Sequence, residues 1–536
     1  MSELSPAPLR LLPTAPRSRS FTITLIAALF IFADVRLGGL RIAELSLAAV
    51  MGAGAIAMAA RFPGAGLCIL LGFVPLQPIV VAYLYKHGVP ASLAKDLGYI
   101  KDAMVAGIVV AALVGTRDSH HHGGRRSDGA RHDELHRAAA TRTHRHTHRH
   151  ELDLLDKCAA VYLAIATIYL VLPFLSHAAL GGQPFQVRLN AWRVDCLFVV
   201  LLVAARRVQF SKGAYRAARA TVVGIGVLML IVGAWESISP GGYNHFLQST
   251  IAFPRYQLYV LKVSPPQDAN YVIYSLIGGL KIQRVGSLFA DSLELGFFML
   301  IPLGLCVERL GIRRPSLVAL IGLGSAIATV ILAETRSAML GAGVAVVLAV
   351  RLAFRNRAPG RYRLAVLVAL AGVIALPLGA GSVLQHRLGS TFNANGNQSN
   401  SGHTYNSITA AKDILRQPEG RGLGANPATG QRFGTANVTV SENSYLQVGT
   451  ELGAAAMFAF VGMYLATLSR LRREARGHDE RASLAAAMWL SGWALFVCGW
   501  FLHVWTLFPV SLSFWGLAGA AMGPPRRVET RHAPAI

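Results

Sequence analysis

About fourteen apolar runs divide this 536-residue chain, and the solvent they require constrains its fold more than any single motif does. They centre near 21–35, 42–60, 64–83, 102–115, 155–176, 193–205, 220–236, 289–307, 316–333, 337–354, 364–379, 445–468, 483–502 and 504–522. Most reach or approach the ~20 residues that a helix rising ~1.5 Å per residue needs to cross ~30 Å of hydrocarbon. Hydrocarbon offers the backbone no hydrogen-bond partner, so such runs must satisfy their own amides as helices. The expected fold class is all-α: a polytopic integral membrane protein with about 14 transmembrane helices and a large, partly helical outer loop. Composition agrees, with 53% hydrophobic and only 15% charged residues, which excludes a soluble enzyme with a tail. A net charge of +24 would suit nucleic acid in a soluble protein. Here the basic residues lie largely between apolar runs, where they set topology, so membrane lipids are expected partners and nucleic acid is not. Cys68, Cys158, Cys196, Cys306 and Cys498 stand in or beside apolar runs with no CxxC pair, so neither a disulfide framework nor a zinc site is expected.

Lys and Arg resist translocation and collect on the cytoplasmic side. With Arg10, Arg17 and Arg19 inside, the basic connections 116–153, 206–219, 308–315, 355–363 and 469–481 all fall on the same face. The chain then divides into a cytoplasmic tail 1–20, an N-terminal membrane bundle 21–236 with a basic loop 116–153, an outer loop 237–288, a membrane core 289–379, a large outer loop 380–444, C-terminal membrane helices 445–522 and a cytoplasmic tail 523–536. No small-residue cleavage site stands out after the first run, so a cleavable signal peptide is not expected. Loop 116–153 holds nine of the seventeen histidines. Such a tract binds metal where geometry is fixed; without that, the favoured reading is a disordered basic segment against anionic headgroups.

Charge within apolar runs costs at least about 2.5–3.5 kcal/mol per residue at the bilayer centre, and less near the ends. Here it gathers at outer ends. Asp291 and Glu294 are three apart in "RVGSLFADSLELGFF", on one helical face just after Arg284. "LAETRSAMLGAG" places Glu334, Thr335 and Arg336 in an outer turn between two spans, and "SENSYLQVGTELG" places Glu442 at a rim with Ser444 and Glu451 on the following face. Any one of these residues can equally snorkel or form a local ion pair. Three clusters at one depth, beside the two long outer loops, favour a site. Fixed guanidinium groups there suit a phosphate-bearing ligand. In the loop between, "HTYNSITAAKDILRQPEGRGLGANPATG" spaces Tyr405, Ile408, Ala411 and Leu415 helically up to Pro418, as a lid lying on the membrane would. "GRGLGANPATG" then forms a glycine-rich turn carrying Arg421, either a ligand cradle or an ordinary flexible turn.

Together these segments resemble the O-antigen ligase and polymerase family, polytopic glycosyltransferases of the C-type class that act on polyprenyl diphosphate-linked sugars. "ETRSAMLGAGVAVVLAV" is similar to the family's Ser/Thr-Arg-Ser/Gly segment opening an apolar helix, "AAKDILRQPEGRGLGANPATG" to its loop ending in Pro and a glycine-rich turn, and "ENSYLQVGTELGAAAMF" to its segment with His or Glu before Asn/Ser, Tyr-Leu and Glu-Leu-Gly. The likeness covers roughly 275 to 470, and the order of pieces is more specific than any one piece. It implies that Arg336 and Arg284 hold the donor diphosphate, that Arg421 assists, and that Glu442 accepts or orients a proton of the attacking hydroxyl. Asn443, Tyr445, Glu334, Glu294, His403 and Glu451 are expected around the substrate. The ligase branch typically has His where this chain has Glu442, a departure that leans towards a polymerase.

The resemblance thus implies a metal-independent, inverting glycosyltransferase with no cofactor, joining undecaprenyl diphosphate-linked oligosaccharides at the periplasmic face of the bacterial inner membrane. A flippase and a chain-length regulator of the same route are expected associates. The alternatives are a ligase that moves lipid-linked glycan to the lipid A core or to protein, a transporter of polysaccharide or lipid-linked sugar, and a non-enzymatic assembly subunit. No internal repeat with broken helices at the midplane, which a transporter would favour, is evident.

Overall fold

A computed structural model describes residues 40–121, 153–172, 184–277, 280–312, 316–355, 398–425 and 441–524. The runs expected at 21–35 and 364–379, and most of the basic loop 116–153, lie outside the described residues. The structure is 81% helical. In chain order the helices are α1 (Leu40–Arg61), α2 (Pro63–Lys86), α3 (Ala91–Leu97), α4 (Ile100–His121), α5 (Leu154–Val171), α6 (Phe185–Ala205) and α7 (Lys212–Ile238), followed by α8 (Ser292–Ile312), α9 (Leu317–Ala333), α10 (Arg336–Arg355), α11 (Gln398–Arg416), α12 (Ser444–Leu452), α13 (Ala454–Glu474), α14 (Glu480–Gly499) and α15 (Phe508–Ala521).

Seven helices among the described residues are long and apolar enough to cross a membrane: Glu44–Arg61, Pro63–Lys86, Ala91–Val114, Leu154–Val171, Lys212–Ile238, Ala454–Glu474 and Glu480–Gly499. The chain is a multi-pass membrane protein by this measure, but the expected count of about fourteen is not confirmed. Two apolar runs form helices of only 17 and 14 residues, α9 and α15. In α6, Arg188, Arg193 and Asp195 interrupt the apolar stretch. The all-helical expectation also needs correcting at one place. In the outer segment 237–288, β1 (Ile273–Ile277) pairs antiparallel with β2 (Leu280–Arg284), with Ile273 opposite Arg284 and Tyr274 opposite Gln283. Ile, Tyr and Leu around Gly278 and Gly279 are the β-formers and turn residues a hairpin asks for.

The core is organised around α15, in which every residue from Pro509 to Ala521 is buried. A helix apolar on all sides belongs at the centre of a bundle. Its Phe514 stacks on Tyr464 of α13, with ring centroids 5.9 Å apart, and its Trp515 stacks on Phe198 of α6 at 5.7 Å. Neighbouring α14 is gripped between α8 and α10 through small residues. A methyl group at Gly304 would meet the Ser491 hydroxyl at 2.2 Å, and one at Gly341 would meet Cys498 Sγ at 2.7 Å. Such close approach replaces a hydrophobic driving force where lipid is as apolar as the side chains. Around this core the large exposed residues are themselves apolar, including Ile231 and Ile238 on α7 and Leu317 and Val318 on α9, the finish a lipid-facing surface needs.

At one end of the bundle the charges are paired. Arg219 of α7 reaches Glu308 of α8 at 3.4 Å, Ser483 of α14 donates to Glu308 at 2.7 Å, and Arg309 and Arg216 meet Glu480 at 3.3 and 3.0 Å. Nearby, Asp153 is held by Arg470 at 2.6 Å, and Asp156 by Arg206 at 2.9 Å. The α8, α10 and α13 C-termini and the α14 N-terminus belong to this basic end, so their opposite termini gather at the other. Removing one member of a buried ion network leaves its partner charged and unpaired, at a cost of about 3–5 kcal/mol. Glu308→Ala is therefore expected to lower the thermal unfolding midpoint in detergent much more than Arg216→Ala, whose side chain is 60% exposed and whose pair contributes about 0–1 kcal/mol. Equal shifts would show that the Glu308 network does not hold these helices together.

Candidate functional site

At the end opposite the paired charges, three helices begin close together: α8 at Ser292, α10 at Arg336 and α12 at Ser444. Helix N-termini carry partial positive charge and favour anions. The corner between α9 and α10 is tight. Glu334 closes α9 in the left-handed region at φ 51°, its N–H donating to the Ile331 carbonyl at 3.0 Å, and Arg336 opens α10 two residues later. A non-glycine residue in that region costs roughly 1–2 kcal/mol, which the surrounding contacts must offset. Buried Thr335 supplies one of them: its hydroxyl donates to the Ser292 carbonyl at 3.0 Å, clamping the α10 start to the α8 start. There Asp291 caps α8 by accepting the Leu293 N–H at 2.8 Å, and Glu294 follows in the first turn.

Arg284 reaches the same corner from β2. The next residue, Val285, donates its N–H to the Leu332 carbonyl of α9 at 3.0 Å, and Gln283 donates to the Glu236 carbonyl at 3.1 Å. Glu236 itself is fully buried at the end of α7, where its carboxylate accepts the Gly286 N–H at 3.1 Å and the Ser287 N–H at 2.7 Å. The turn after Arg284 is thereby locked to α7. Sequence reasoning missed Glu236, although a carboxylate closing an otherwise apolar run is the signal that marks it.

The third side of the rim comes from α11 and α12. His403 of α11 pairs through Nδ1 with Glu442 Oε2, and the Arg336 charge acts on the same imidazole. Burial, and after it the Arg336 guanidinium, hold His403 below the ordinary imidazole value, and the Glu442 carboxylate does not reverse this. The imidazole is therefore neutral at neutral pH. A tautomer with its Nδ1–H towards Glu442 would leave the lone pair on Nε2. Asn443 is the α12 N-cap: its Oδ1 accepts the Tyr445 and Leu446 N–H groups at 2.9 and 3.1 Å, and its Nδ2 donates to the Trp500 carbonyl at 2.9 Å. Ser444 donates to the Leu502 carbonyl and accepts the Val504 N–H, both at 2.8 Å.

Hydrogen bonds tie Ser444 to the connection 500–507 and the Ser292 carbonyl to Thr335, beside Arg336, while His403 lies against Glu442 and within the field of Arg336. His503 is a second residue that sequence reading did not single out, since nothing local distinguishes it. Of the expected residues, Arg336, Arg284, Glu334, Glu294, His403, Glu442 and Asn443 are thus carried by the segments that form this rim.

The other three are held by different partners. Arg421 is paired with Asp413 of α11 at 2.7 Å. Tyr445 is buried among Phe496, Trp500 and Phe460, and its hydroxyl donates to the Phe496 carbonyl at 2.8 Å. Glu451 is buried, with its carboxylate accepting the Gly424 N–H. The glycine-rich turn lies against α12 and the start of α13. Arg421 N–H donates to the Thr450 carbonyl, Gly422 N–H to the Glu451 carbonyl and Ala454 N–H to the Pro418 carbonyl, at 2.8, 2.8 and 2.7 Å. Gly420, at φ 84°, has no room for a side chain, because a Cβ would sit 2.4 Å from the Gly453 nitrogen. These glycines admit close backbone approach within the protein.

Fold and rim together define a multi-pass membrane protein with a polar site at one end of its bundle. Residues 321–461 match the family model described as O-antigen ligase, and this match supports the O-antigen ligase/polymerase family for the chain. No curated protein matches it. The matched stretch includes Glu334, Arg336, His403, Glu442 and the glycine-rich turn, but neither Arg284 nor His503.

Removing the Glu236 carboxylate leaves two buried N–H groups unmatched, at about 1–3 kcal/mol each. Glu236→Ala is expected to release the turn after Arg284 and to reduce glycan assembly in cells at least as strongly as Arg284→Ala does. Glycan blotting at matched protein levels checks this, and a normal blot with Glu236→Ala would mean that Arg284 does not depend on that clamp.

Proposed function

We propose that the chain is a polysaccharide polymerase, which joins polyprenyl diphosphate-linked oligosaccharide repeat units at the periplasmic face of the inner membrane, without metal and with inversion at the anomeric carbon. The observation that carries this reading is the rim itself, with guanidinium groups on one side and a His–carboxylate pair on the other, at the ends of membrane helices. Arg336 and Arg284 offer charge-assisted bonds to the two phosphates of the donor. As the bond from the anomeric carbon to the diphosphate oxygen breaks, its electron pair goes to the diphosphate, where the arginines and the α8 and α10 N-termini balance the added charge. The acceptor hydroxyl oxygen forms the new bond to that carbon, and its proton passes to His403 Nε2, with Glu442 holding the ring in the required tautomer. In an alternative route the Glu442 carboxylate takes the proton directly.

A ligase reading, transfer of lipid-linked glycan to the lipid A core or to protein, draws support from the family match and from His403. Glu442 stands where the ligase branch typically has His, yet His403 brings an imidazole against it. The size profile of polyprenyl diphosphate-linked glycans in cells lacking the chain separates the readings. Accumulated single repeat units with no long polymer are expected. Long polymer still on its lipid carrier would favour the ligase, and an unchanged profile would overturn both in favour of a transporter. In cells that carry the chain, Arg336→Lys is expected to reproduce most of the deletion profile, because lysine keeps the charge but loses the bidentate contact.

The pH dependence has a definite sign. Since His403 lies below its ordinary value of 6.5, the neutral base persists as pH falls through 6.5 and is lost only lower down. The acidic limb of transfer rate against pH is expected below 6.5, and Glu442→Gln, which removes the carboxylate that favours the protonated ring, should move it lower still. A limb above 6.5, or one that Glu442→Gln moves upward, would remove His403 from this role.

A further inference from the structure

At the basic end of the bundle, Arg470 of α13 meets Asp153 at 2.6 Å and Arg481 of α14 meets Glu474 at 2.9 Å. Arg351 of α10 and Arg472 of α13 are held differently. Both are exposed, and among the described residues neither is paired with a carboxylate. Instead they line one cavity of about 370 Å³, within the ~300–1,000 Å³ of small-ligand sites. Its walls come from three helices: Leu348 and Arg351 on α10, Leu468 and Arg472 on α13, and Trp489 and Trp493 on α14, which packs against both. Spacings of three and four put each pair on one helical face. The Arg472 guanidinium lies over the Trp489 ring, 5.7 Å from its centroid. Leu468 and Trp489 are buried at the floor, while the two arginines stand exposed at the mouth.

An exposed apolar stripe leads away from each arginine towards the opposite end of the bundle. On α13 it is Leu465 and Phe458, seven and fourteen residues before Arg472, and on α10 it is Val347 and Leu340, four and eleven before Arg351. At ~1.5 Å per residue these stripes run for ~16–21 Å, enough to span one leaflet, about half of ~30 Å of hydrocarbon. Two unpaired guanidinium groups ask for an occupant with net negative charge, and their planar donor sets match phosphate. Tryptophan suits the headgroup level of a bilayer, and basic pockets between membrane helices suit anionic headgroups.

We propose that this cavity binds an anionic glycerophospholipid, with its phosphate at Arg351 and Arg472 and its acyl chains along the two stripes. The lipid bridges the ends of α10 and α13 across α14. The site lies at the end opposite the rim and does not depend on the reaction proposed there.

The test uses the full chain in phosphatidylcholine nanodiscs that contain a minor fraction of phosphatidylglycerol with brominated acyl chains, a contact quencher of tryptophan. The same fraction of brominated phosphatidylcholine is the comparison. Brominated phosphatidylglycerol should quench more strongly, and the excess should vanish when Trp489 and Trp493 are both replaced by Phe. Arg351→Gln with Arg472→Gln should lower the relative affinity for the anionic lipid about tenfold or more, at roughly fivefold per arginine. The single variants, each with roughly a fivefold loss, serve if the double variant fails to fold. Arg473→Gln, beside Arg472 but outside the cavity, should leave the preference unchanged. Equal quenching by the two lipids, an excess that survives either the Gln or the Phe replacements, or an equal loss with Arg473→Gln overturns the site. Inorganic phosphate, compared with chloride at equal ionic strength, should not displace the lipid. Displacement by it reassigns the arginines to a soluble anion and overturns the lipid assignment.

Discussion

The junction of Asn443 and Ser444 with the connection between α14 and α15 is the contact on which the site depends. Asn443 serves two functions at once, capping α12 with its carbonyl oxygen and holding the Trp500 carbonyl with its amide. Ser444 donates to one backbone carbonyl and accepts from another residue's N–H. Both side chains are buried, where hydrogen bonds are not screened by water and an unmatched group is costly. The start of α12, the end of α14 and the connection leading into α15 are thus tied together, and Glu442 is held at the edge of the knot.

Charge is divided between the two ends of the bundle in different ways. At the basic end, Glu308, Arg219, Arg309 and Glu480 neutralise one another across α7, α8 and α14. At the other end, arginine and carboxylate are spread around a rim, and helix N-termini add positive potential. Backbone strain concentrates there too. Ser287, Ala290 and Glu334 all take left-handed conformations, at φ 49°, 52° and 51°, immediately around the starts of α8 and α10. Non-glycine residues persist in that region only where their surroundings over-determine them. The Glu236 clamp on Ser287 and the Thr335 clamp on Ser292 supply that constraint.

Several residues of the candidate rim stand out in the sequence. Glu334, Arg336, Glu442 and Asn443 stand out because charge and amide at the edge of an apolar run have no reason to be there unless something uses them. Arg421, Tyr445 and Glu451 stood out by the same signal, yet the structure ties each of them to a partner inside the protein. Composition at a helix edge cannot separate a residue that faces a ligand from one that bonds its own chain. His503 escaped because nothing local distinguishes it, whereas Glu236, though it closes an apolar run, gains its meaning only from Gly286 and Ser287 far along the chain.

By itself the sequence determined the helical class, the membrane as solvent and the division of charge between helix ends, because those follow from apolar run length and from the cost of moving charge through hydrocarbon. The β1–β2 hairpin lay outside that all-helical reading, although β-formers flank two glycines there. Only the tertiary structure decided that His403 lies against Glu442, that Glu236 holds the turn after Arg284, and that Ser444 fixes the connection between α14 and α15. Run length and periodicity report which solvent a residue meets, whereas such pairings depend on the order and crossing of helices, which small residues such as Gly304 and Gly341 set through close packing.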